Sequence, residues 1–115
     1  MSDAYQKLTQ ELSASIGGIR KDIPEVMKGF SAMASAALED GALNKKTKEM
    51  IALAIGVATH CKGCIGFHVK ALIALDVTRD ELAEVLGMAI YMGGGPSLMY
   101  AAEAMQAFEE FSQAK

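Results

Sequence analysis

The sequence predicts an all-α protein, a single-domain bundle of about six helices over residues 1–115 that exists as an obligate oligomer. Two observations predict the helices: no long stretch alternates apolar and polar residues, and β-branched residues stand singly among Ala, Leu, Met and Glu. A third observation predicts the oligomer. Hydrophobic residues make up 51% of the chain and charged residues only 22%, so we expect part of the apolar surface to face another subunit.

The first two predicted helices precede residue 42. An amphipathic helix is expected over about residues 3–16, ending near Gly17-Gly18, because glycine is a poor helix former. A second helix is expected to begin with Asp22 near its N-cap and Pro24 in its first turn, where the missing N–H of proline costs little. Gly41 is expected to close it.

The third and fourth predicted helices form the middle of the chain. Asn44 is a plausible N-cap for a helix over residues 45–59, and the middle of this helix, MIALAIGVA, is apolar on nearly every side. Such a pattern is typical of a central, buried helix. The Lys62-Gly63 pair indicates a break near residue 60, after which a fourth helix continues to about Leu75.

A capping box begins the fifth predicted helix. In TRDE, residues 78–81, the threonine and glutamate side chains can each accept a hydrogen bond from a free backbone N–H. This helix is expected to run to about Met92, where three glycines and a proline, residues 93–96, interrupt it. The last helix is expected over residues 97–111.

Charge and hydropathy exclude two classes of partner. The net charge is −3 and no Lys/Arg cluster is interleaved with aromatic residues, so we expect no nucleic acid partner. The longest uninterrupted apolar stretch, Met50 to Ala58, is far below the roughly 20 residues that a membrane-spanning helix needs, so we expect no membrane segment. The N-terminus lacks the basic start and apolar stretch of a secretory signal, so we expect the mature chain to begin here, in the cytoplasm.

Residues 60–68 read HCKGCIGFH and contain every cysteine and histidine of the chain. In a reducing compartment a pair of cysteines is more often catalytic or metal-binding than a structural disulfide. Three interpretations therefore compete: a redox dithiol, a metal site, or a chance cluster in a packed core.

Helical spacing brings the titratable side chains of this segment together. Cys61, Cys64 and His68 fall within a narrow arc of a helix, on a stripe expected to face the core. The spacing of the two cysteines places their Cα atoms within the range that a disulfide tolerates. Cys61, at the helix N-terminus, is expected to have a lowered thiol pKa, and His68 lies one turn from Cys64, close enough to accept its proton.

Two further residues are candidates for this site. Glu49 is the nearest acid upstream, and antiparallel packing of the third and fourth helices would bring it beside the fourth. Alternatively, Glu49 is a solvent-facing acid near the N-terminus of the third helix, where the helix dipole favours a negative charge. His60 is a possible tuning residue for Cys61, and an incidental histidine at a helix end is at least as good an interpretation.

The four positions Glu49, Cys61, Cys64 and His68, with the surrounding KTKEMIALAIGVATHCKGCIGFHVKAL, resemble the alkyl hydroperoxidase D-like branch of the carboxymuconolactone decarboxylase superfamily. The resemblance is strong over residues 44–75. The flanking helices share the helical pattern of the family but none of its sequence motifs. It implies an all-helical fold that assembles as a homo-trimer or homo-hexamer. It also implies a thiol-dependent peroxidase or disulfide oxidoreductase that reduces hydroperoxides in antioxidant defence.

The resemblance also implies a role for each residue of the site. Cys64 would attack the hydroperoxide and become a sulfenic acid, Cys61 would capture it as a disulfide, and His68 with Glu49 would relay protons. No cofactor or metal is implied beyond the redox-active Cys61–Cys64 pair. The implied partners are a small hydroperoxide or disulfide substrate and a lipoyl-type or thioredoxin-type reductant.

The chain departs from the peroxidase of this family at one position. It has Gly63 where that enzyme has a histidine before the second cysteine, and it carries His60 before Cys61 instead. Carboxymuconolactone decarboxylation is the alternative activity within the superfamily. It is less expected here, because the decarboxylases do not rely on this cysteine pair.

Two alternatives from other classes stay open. Zinc would find four ligands in Cys61, Cys64, His68 and either His60 or Glu49, although structural zinc sites usually draw ligands from separated segments. In the other alternative the chain is a structural or interaction protein whose cysteines are buried small residues, as free cysteines often are.

Overall fold

The computed structural model describes residues 2–114, which form six α-helices and no strand. The helices are α1 (Ala4–Asp22), α2 (Pro24–Leu38), α3 (Lys45–Ala58), α4 (Lys62–Ala74), α5 (Arg79–Gly93) and α6 (Gly95–Ala114). The predicted all-α class and helix order are confirmed.

The core lies among α3, α4, α5 and α6, which pack against one another. Helix α1 covers α4 and α6 and contributes Tyr5 to this core. Full burial of a valine, leucine or isoleucine side chain in such a core contributes about 1.5–3 kcal/mol to stability. The largest fully buried apolar side chains are Leu53, Ile65, Leu72, Leu82, Val57 and Val69.

Helix α2 lies outside this core. It packs only against α1 and α3, and none of its residues is buried. Three of its large apolar side chains are mostly exposed: Val26 at 63%, Phe30 at 59% and Met33 at 62%. The α2 helix therefore leaves an open cleft where it faces α1.

Side-chain caps begin α3 and α5 as predicted. The Thr47 N–H donates to Asn44 Oδ1 at 2.8 Å, and both hydrogen bonds of the capping box between Thr78 and Glu81 are formed. The hydrogen bond from the Thr78 backbone, followed by the contact with Lys46, lowers the pKa of Glu81. Lys46 Nζ lies 2.9 Å from Glu81 Oε1, so this cap also ties α3 to α5.

The first helix boundary was predicted wrongly. Helix α1 continues through Gly17-Gly18 to Asp22, which is its last residue and not the N-cap of α2. The apolar stripe continues through Ile16 and Ile19, so that the cost of two glycines, about 1 kcal/mol each, does not end the helix. Pro24 is the first residue of α2, as predicted.

Two other expectations are corrected. The predicted break over residues 93–96 is confined to Gly94, whose φ of 77° suits glycine, and α6 begins at Gly95. Helix α3 is buried on one side only, because Ile51 is 46% exposed and Ile55 57% exposed on its other side.

Candidate functional site

The turn between α3 and α4 places the cysteines at the start of a helix. Cys61 is the N-cap of α4, and its sulfur accepts a hydrogen bond from the Cys64 N–H at 3.1 Å. Its own N–H donates to the Gly56 carbonyl at 2.9 Å. His60, with φ of 60°, makes the reversal between the two helices. The break therefore precedes Lys62, which is already helical.

Cys61 and Cys64 are joined as a disulfide in this structure, with their Cα atoms 5.2 Å apart. The bond connects the N-cap of α4 to the first turn of that helix. Free N–H groups and the positive end of the helix dipole favour a thiolate at such a position when the pair is reduced. The geometry thus suits a pair that alternates between disulfide and dithiol.

Gly56 allows α3 to approach the cysteine pair closely. A Cβ added at Gly56 would lie 3.0 Å from the Cys64 Cβ, closer than most Cβ contacts in proteins, so α4 would have to give way by a few tenths of an ångström. The same residue accepts the hydrogen bond from Cys61. Sequence reasoning did not single out Gly56; a glycine in the middle of an apolar helix is the feature that would have indicated a close approach.

His68 and Glu49 form a hydrogen-bonded pair between α4 and α3. His68 Nδ1 lies 2.7 Å from Glu49 Oε2. The Glu49 side chain is only 4% exposed, whereas that of His68 is 30% exposed. The interpretation of Glu49 as a solvent-facing acid is therefore wrong. An ionised carboxylate only accepts hydrogen bonds, so with Glu49 ionised Nδ1 donates and Nε2 of the neutral ring carries the lone pair.

The histidine is one helical turn from Cys64. Both lie on the continuous helix α4 at a spacing of four residues, which places their Cβ atoms about 6 Å apart. The side chains of Cys61, Cys64 and His68 are all half-buried. They were expected to face the core, and they are less buried than that expectation implies. A small reactant can therefore reach them from the surface of the chain.

His60, the possible tuning residue, contacts a residue that sequence reasoning missed. Its ring stacks on Tyr100 of α6, with centroids 4.7 Å apart and an angle of 7° between the planes. This contact anchors the turn before Cys61 to the last helix. Because it joins residues 40 positions apart in the chain, no local pattern indicated it.

A second missed network lies beside the cysteine pair. Glu103 of α6 accepts a hydrogen bond from the Tyr5 hydroxyl at 2.7 Å and pairs with Lys62 Nζ at 3.2 Å. Burial, with the contact to Glu103, raises the pKa of Tyr5, so its hydroxyl stays protonated and donates. The network holds α1 and α6 against the first turn of α4.

No metal cluster or membrane span is found in residues 2–114. No group of three or more His, Cys, Asp or Glu side chains there is arranged to hold a metal ion. None of the helices in this part of the chain is long and apolar enough to cross a membrane.

Comparisons with known proteins agree with this architecture. The sequence model of the carboxymuconolactone decarboxylase family matches residues 24–107. An uncharacterized protein of Cupriavidus necator is 38% identical, over 94% of this chain and 95% of its own. An uncharacterized protein of the cox locus of Paracoccus denitrificans is 30% identical, over 89% and 92% of the two chains.

Two solved structures are similar over nearly the whole chain. A carboxymuconolactone decarboxylase family protein from Legionella pneumophila, solved in its apo form, has a TM-score of 0.95 at 59% identity, covering 96% of this chain and 99% of that one. A Thermotoga maritima protein has a TM-score of 0.78 over 98% and 96% of the two chains. Its identity of 22% makes it a likeness of fold alone.

Proposed function

The chain belongs to the carboxymuconolactone decarboxylase family, and from that premise we propose that it is a thiol-dependent peroxidase or disulfide oxidoreductase that works through Cys61 and Cys64. One observation carries the proposal. Two cysteines within disulfide distance begin α4, and His68, one turn further along the same helix, is hydrogen-bonded to a buried carboxylate of α3.

The first step of the proposed reaction is nucleophilic. His68 Nε2 takes the proton of the Cys64 thiol, and the resulting thiolate attacks the terminal oxygen of a hydroperoxide. The O–O bond breaks, the S–O bond forms, and the alcohol leaves with the proton held by His68. Cys64 is oxidised to a sulfenic acid, and the hydroperoxide is reduced by two electrons.

The second step closes the disulfide. The Cys61 sulfur attacks the Cys64 sulfur, the S–O bond breaks, and the oxygen leaves as water with the proton of the Cys61 thiol. Two thiols have then been exchanged for one disulfide. An external dithiol of the lipoyl or thioredoxin type returns two electrons and two protons by thiol–disulfide exchange.

Glu49 is proposed to orient the histidine for both transfers. Its carboxylate accepts from Nδ1, which directs Nε2 toward the thiol and stabilises the imidazolium that forms when the proton arrives. Because Glu49 is buried on α3, the packing of α3 against α4 fixes this orientation.

The test measures consumption of cumene hydroperoxide with dihydrolipoamide as the reductant. Cys64→Ser is expected to abolish turnover, and Glu49→Gln to lower its rate about 100-fold, the usual scale for loss of a general acid–base group. Glu84→Gln, which changes an exposed carboxylate of α5, is the matched control and is expected to be unchanged. Equal turnover by Cys64→Ser and the parent chain would overturn the proposal.

Family membership is equally consistent with a decarboxylase-type reaction. Such a reaction does not use the cysteine pair, so it survives Cys61→Ser and Cys64→Ser. Release of CO₂ from carboxymuconolactone by the double serine variant would favour the decarboxylase reaction. Loss of hydroperoxide turnover in the same variant would favour the reaction at the Cys61–Cys64 dithiol.

A further inference from the structure

Helix α6 contacts the residues on both sides of Cys61. The ring of His60, which precedes Cys61, stacks on Tyr100 with the ring centroids 4.7 Å apart and the planes at 7°. The ammonium of Lys62, which follows Cys61, pairs with Glu103 Oε1 at 3.2 Å. Both neighbours of this cysteine are therefore held from the same helix.

The two α6 residues lie on one face of a helix that is fixed in the core. Tyr100 and Glu103 are neighbours on the helix surface, because residues three apart in a helix share a face. Ala101 and Ala104, which follow them in sequence, are only 4% and 0% exposed. Contacts from this face thus tie the α3–α4 turn, whose residues 59–62 are exposed or half-buried, to the core.

His60 has a backbone conformation that is unfavourable for most residues. Its φ of 60° lies in the left-handed region, which costs a residue with a Cβ about as much free energy as an aromatic pair contributes. The turn itself supplies two backbone hydrogen bonds, from the His60 N–H to the Val57 carbonyl and from the Cys61 N–H to the Gly56 carbonyl. The stack on Tyr100 adds to them and offsets the cost of the left-handed residue.

The two redox forms of the cysteine pair depend on these contacts to different degrees. In the disulfide, the S–S bond itself holds Cys61 beside Cys64. In the dithiol, noncovalent contacts of the turn have to keep the two sulfurs close. Constraints that fix the same turn favour each other, so contacts that hold Cys61 in place also favour closure of the disulfide.

We propose that Tyr100 and Glu103 are positioning residues for Cys61, which hold its two neighbours and thereby shift the equilibrium between dithiol and disulfide toward the disulfide. Faster capture of the sulfenic acid by Cys61 is a consequence that rests on the proposed function. The shift in the equilibrium does not rest on it.

The experiment equilibrates the full chain in graded buffers of glutathione or dithiothreitol, whichever brackets the midpoint, and counts the alkylated thiols by intact mass. The oxidised buffer thiol takes two electrons and two protons from Cys61 and Cys64, which close the disulfide, and is itself reduced to thiols. No hydroperoxide is present, so a failed peroxidase assay leaves this inference standing.

Tyr100→Ala is expected to lower the equilibrium constant for disulfide formation about three- to tenfold, the range that an aromatic pair contributes. Tyr100→Phe keeps the ring and is expected to restore the value of the parent chain. Tyr91→Ala is the matched control, because it makes the same change at a tyrosine of α5 that is 79% exposed. Its equilibrium constant is expected to equal that of the parent chain.

Glu103→Gln tests the other contact. It removes the charge that pairs with Lys62 and keeps an oxygen that accepts from the Tyr5 hydroxyl. The expected loss is at most about fivefold, because the ion pair is solvent-accessible, and it should disappear in concentrated salt. Tyr5→Phe removes only the hydroxyl and is expected to leave the equilibrium constant unchanged.

His60→Asn separates positioning from a direct effect of the histidine on Cys61. Asparagine tolerates a left-handed φ and has no ring to stack, so this variant is expected to show the loss found in Tyr100→Ala. Combining the two substitutions is expected to cause no further loss. Because His60 is exposed, its variant also carries the test should Tyr100→Ala fail to fold.

Three results would overturn the inference. One is an equilibrium constant in Tyr100→Ala or His60→Asn equal to that of the parent chain. Another is a loss of equal size in Tyr91→Ala. The third is a pair of losses in His60→Asn and Tyr100→Ala that add in the double variant, which would mean that the two residues act on Cys61 independently.

Discussion

At the residue scale, Gly56 determines how closely α3 and α4 approach beside the dithiol. Its carbonyl accepts the Cys61 N–H, and a Cβ at this position would lie only 3.0 Å from the Cys64 Cβ. A side chain at this position would push α4 away by a few tenths of an ångström, which would change the position of Cys64 relative to α3. Gly56 is thus a positioning residue for the centre.

Gly56→Ala is expected to destabilise the protein by about 1–2 kcal/mol, because the cost of overpacking exceeds the gain in helix propensity. Gly87→Ala, in α5, is the matched control. A Cβ at Gly87 meets nothing within 4 Å, so this variant is expected to gain up to about 1 kcal/mol. Thermal unfolding of the two variants measures the difference, and a stabilised Gly56→Ala would contradict the account.

The residues of the site were only partly predictable from the sequence. The spacing of Cys61, Cys64 and His68 predicted that they share a helix face, because helical periodicity is local. The Glu49–His68 contact depends on antiparallel packing of α3 against α4. The sequence is compatible with this packing but does not distinguish it from other arrangements of the helices. Tyr100 and Glu103 come from α6, and nothing in the local pattern indicates which distant helix covers the α3–α4 turn.

At the element scale, the capping box of α5 gives the fold a measurable response to acid. The cap lowers the folded-state pKa of Glu81 from its usual value of 4.5. A carboxyl group with a lowered folded pKa contributes stability that is present above its unfolded pKa and is lost as the pH falls through the folded value. The contribution of Glu81 therefore disappears below about pH 4.5.

Glu81→Gln is expected to keep the hydrogen bond to the Thr78 N–H and to lose the charge and the ion pair with Lys46. Chemical denaturation at several pH values should show the variant less stable than the parent above pH 5, with the difference vanishing in more acidic solution. Glu84→Gln provides the control on the same helix, with no capping contact. A difference that grows as the pH falls would contradict the assignment.

The helix ends show which local rules the fold obeys. Asn44 and Thr78 were predicted as caps because a cap is satisfied within its own helical turn. Gly17-Gly18 was expected to end α1 and does not, since the penalty of two glycines is small beside the contacts of a 19-residue helix. Tertiary packing decides such boundaries, and single residues do not.

At the scale of the whole molecule, an apolar surface on α3 and α5 has no partner within residues 2–114, in addition to the exposed apolar side chains of α2. This α3–α5 face consists of Ile51, Ile55, Met88 and Met92, which are 46%, 57%, 59% and 75% exposed. Beside them is an apolar depression of about 190 Å³. Such a patch is typical of a surface that another subunit covers, and it accounts for the outer stripe of α3 that was expected to be buried.

The assembly is predicted to be a homo-trimer or homo-hexamer through this face. Light scattering should give a mass that is a multiple of 12.2 kDa, and Ile55→Glu should lower that mass because a charge at the face loses its solvation on association. Ser15→Glu, on the exposed side of α1, should leave the mass unchanged. A monomeric parent chain would contradict this prediction.

The proposal that a hydroperoxide oxidises Cys64 and is reduced by it leads to a claim about mass: alkylation of the thiols, before and after one equivalent of cumene hydroperoxide, should give different intact masses of the protein. The reduced parent chain is expected to lose both alkylation sites and form the Cys61–Cys64 disulfide, while Cys64→Ser stays fully alkylated at Cys61. Two thiols that remain open to alkylation in the parent chain after treatment would contradict the claim.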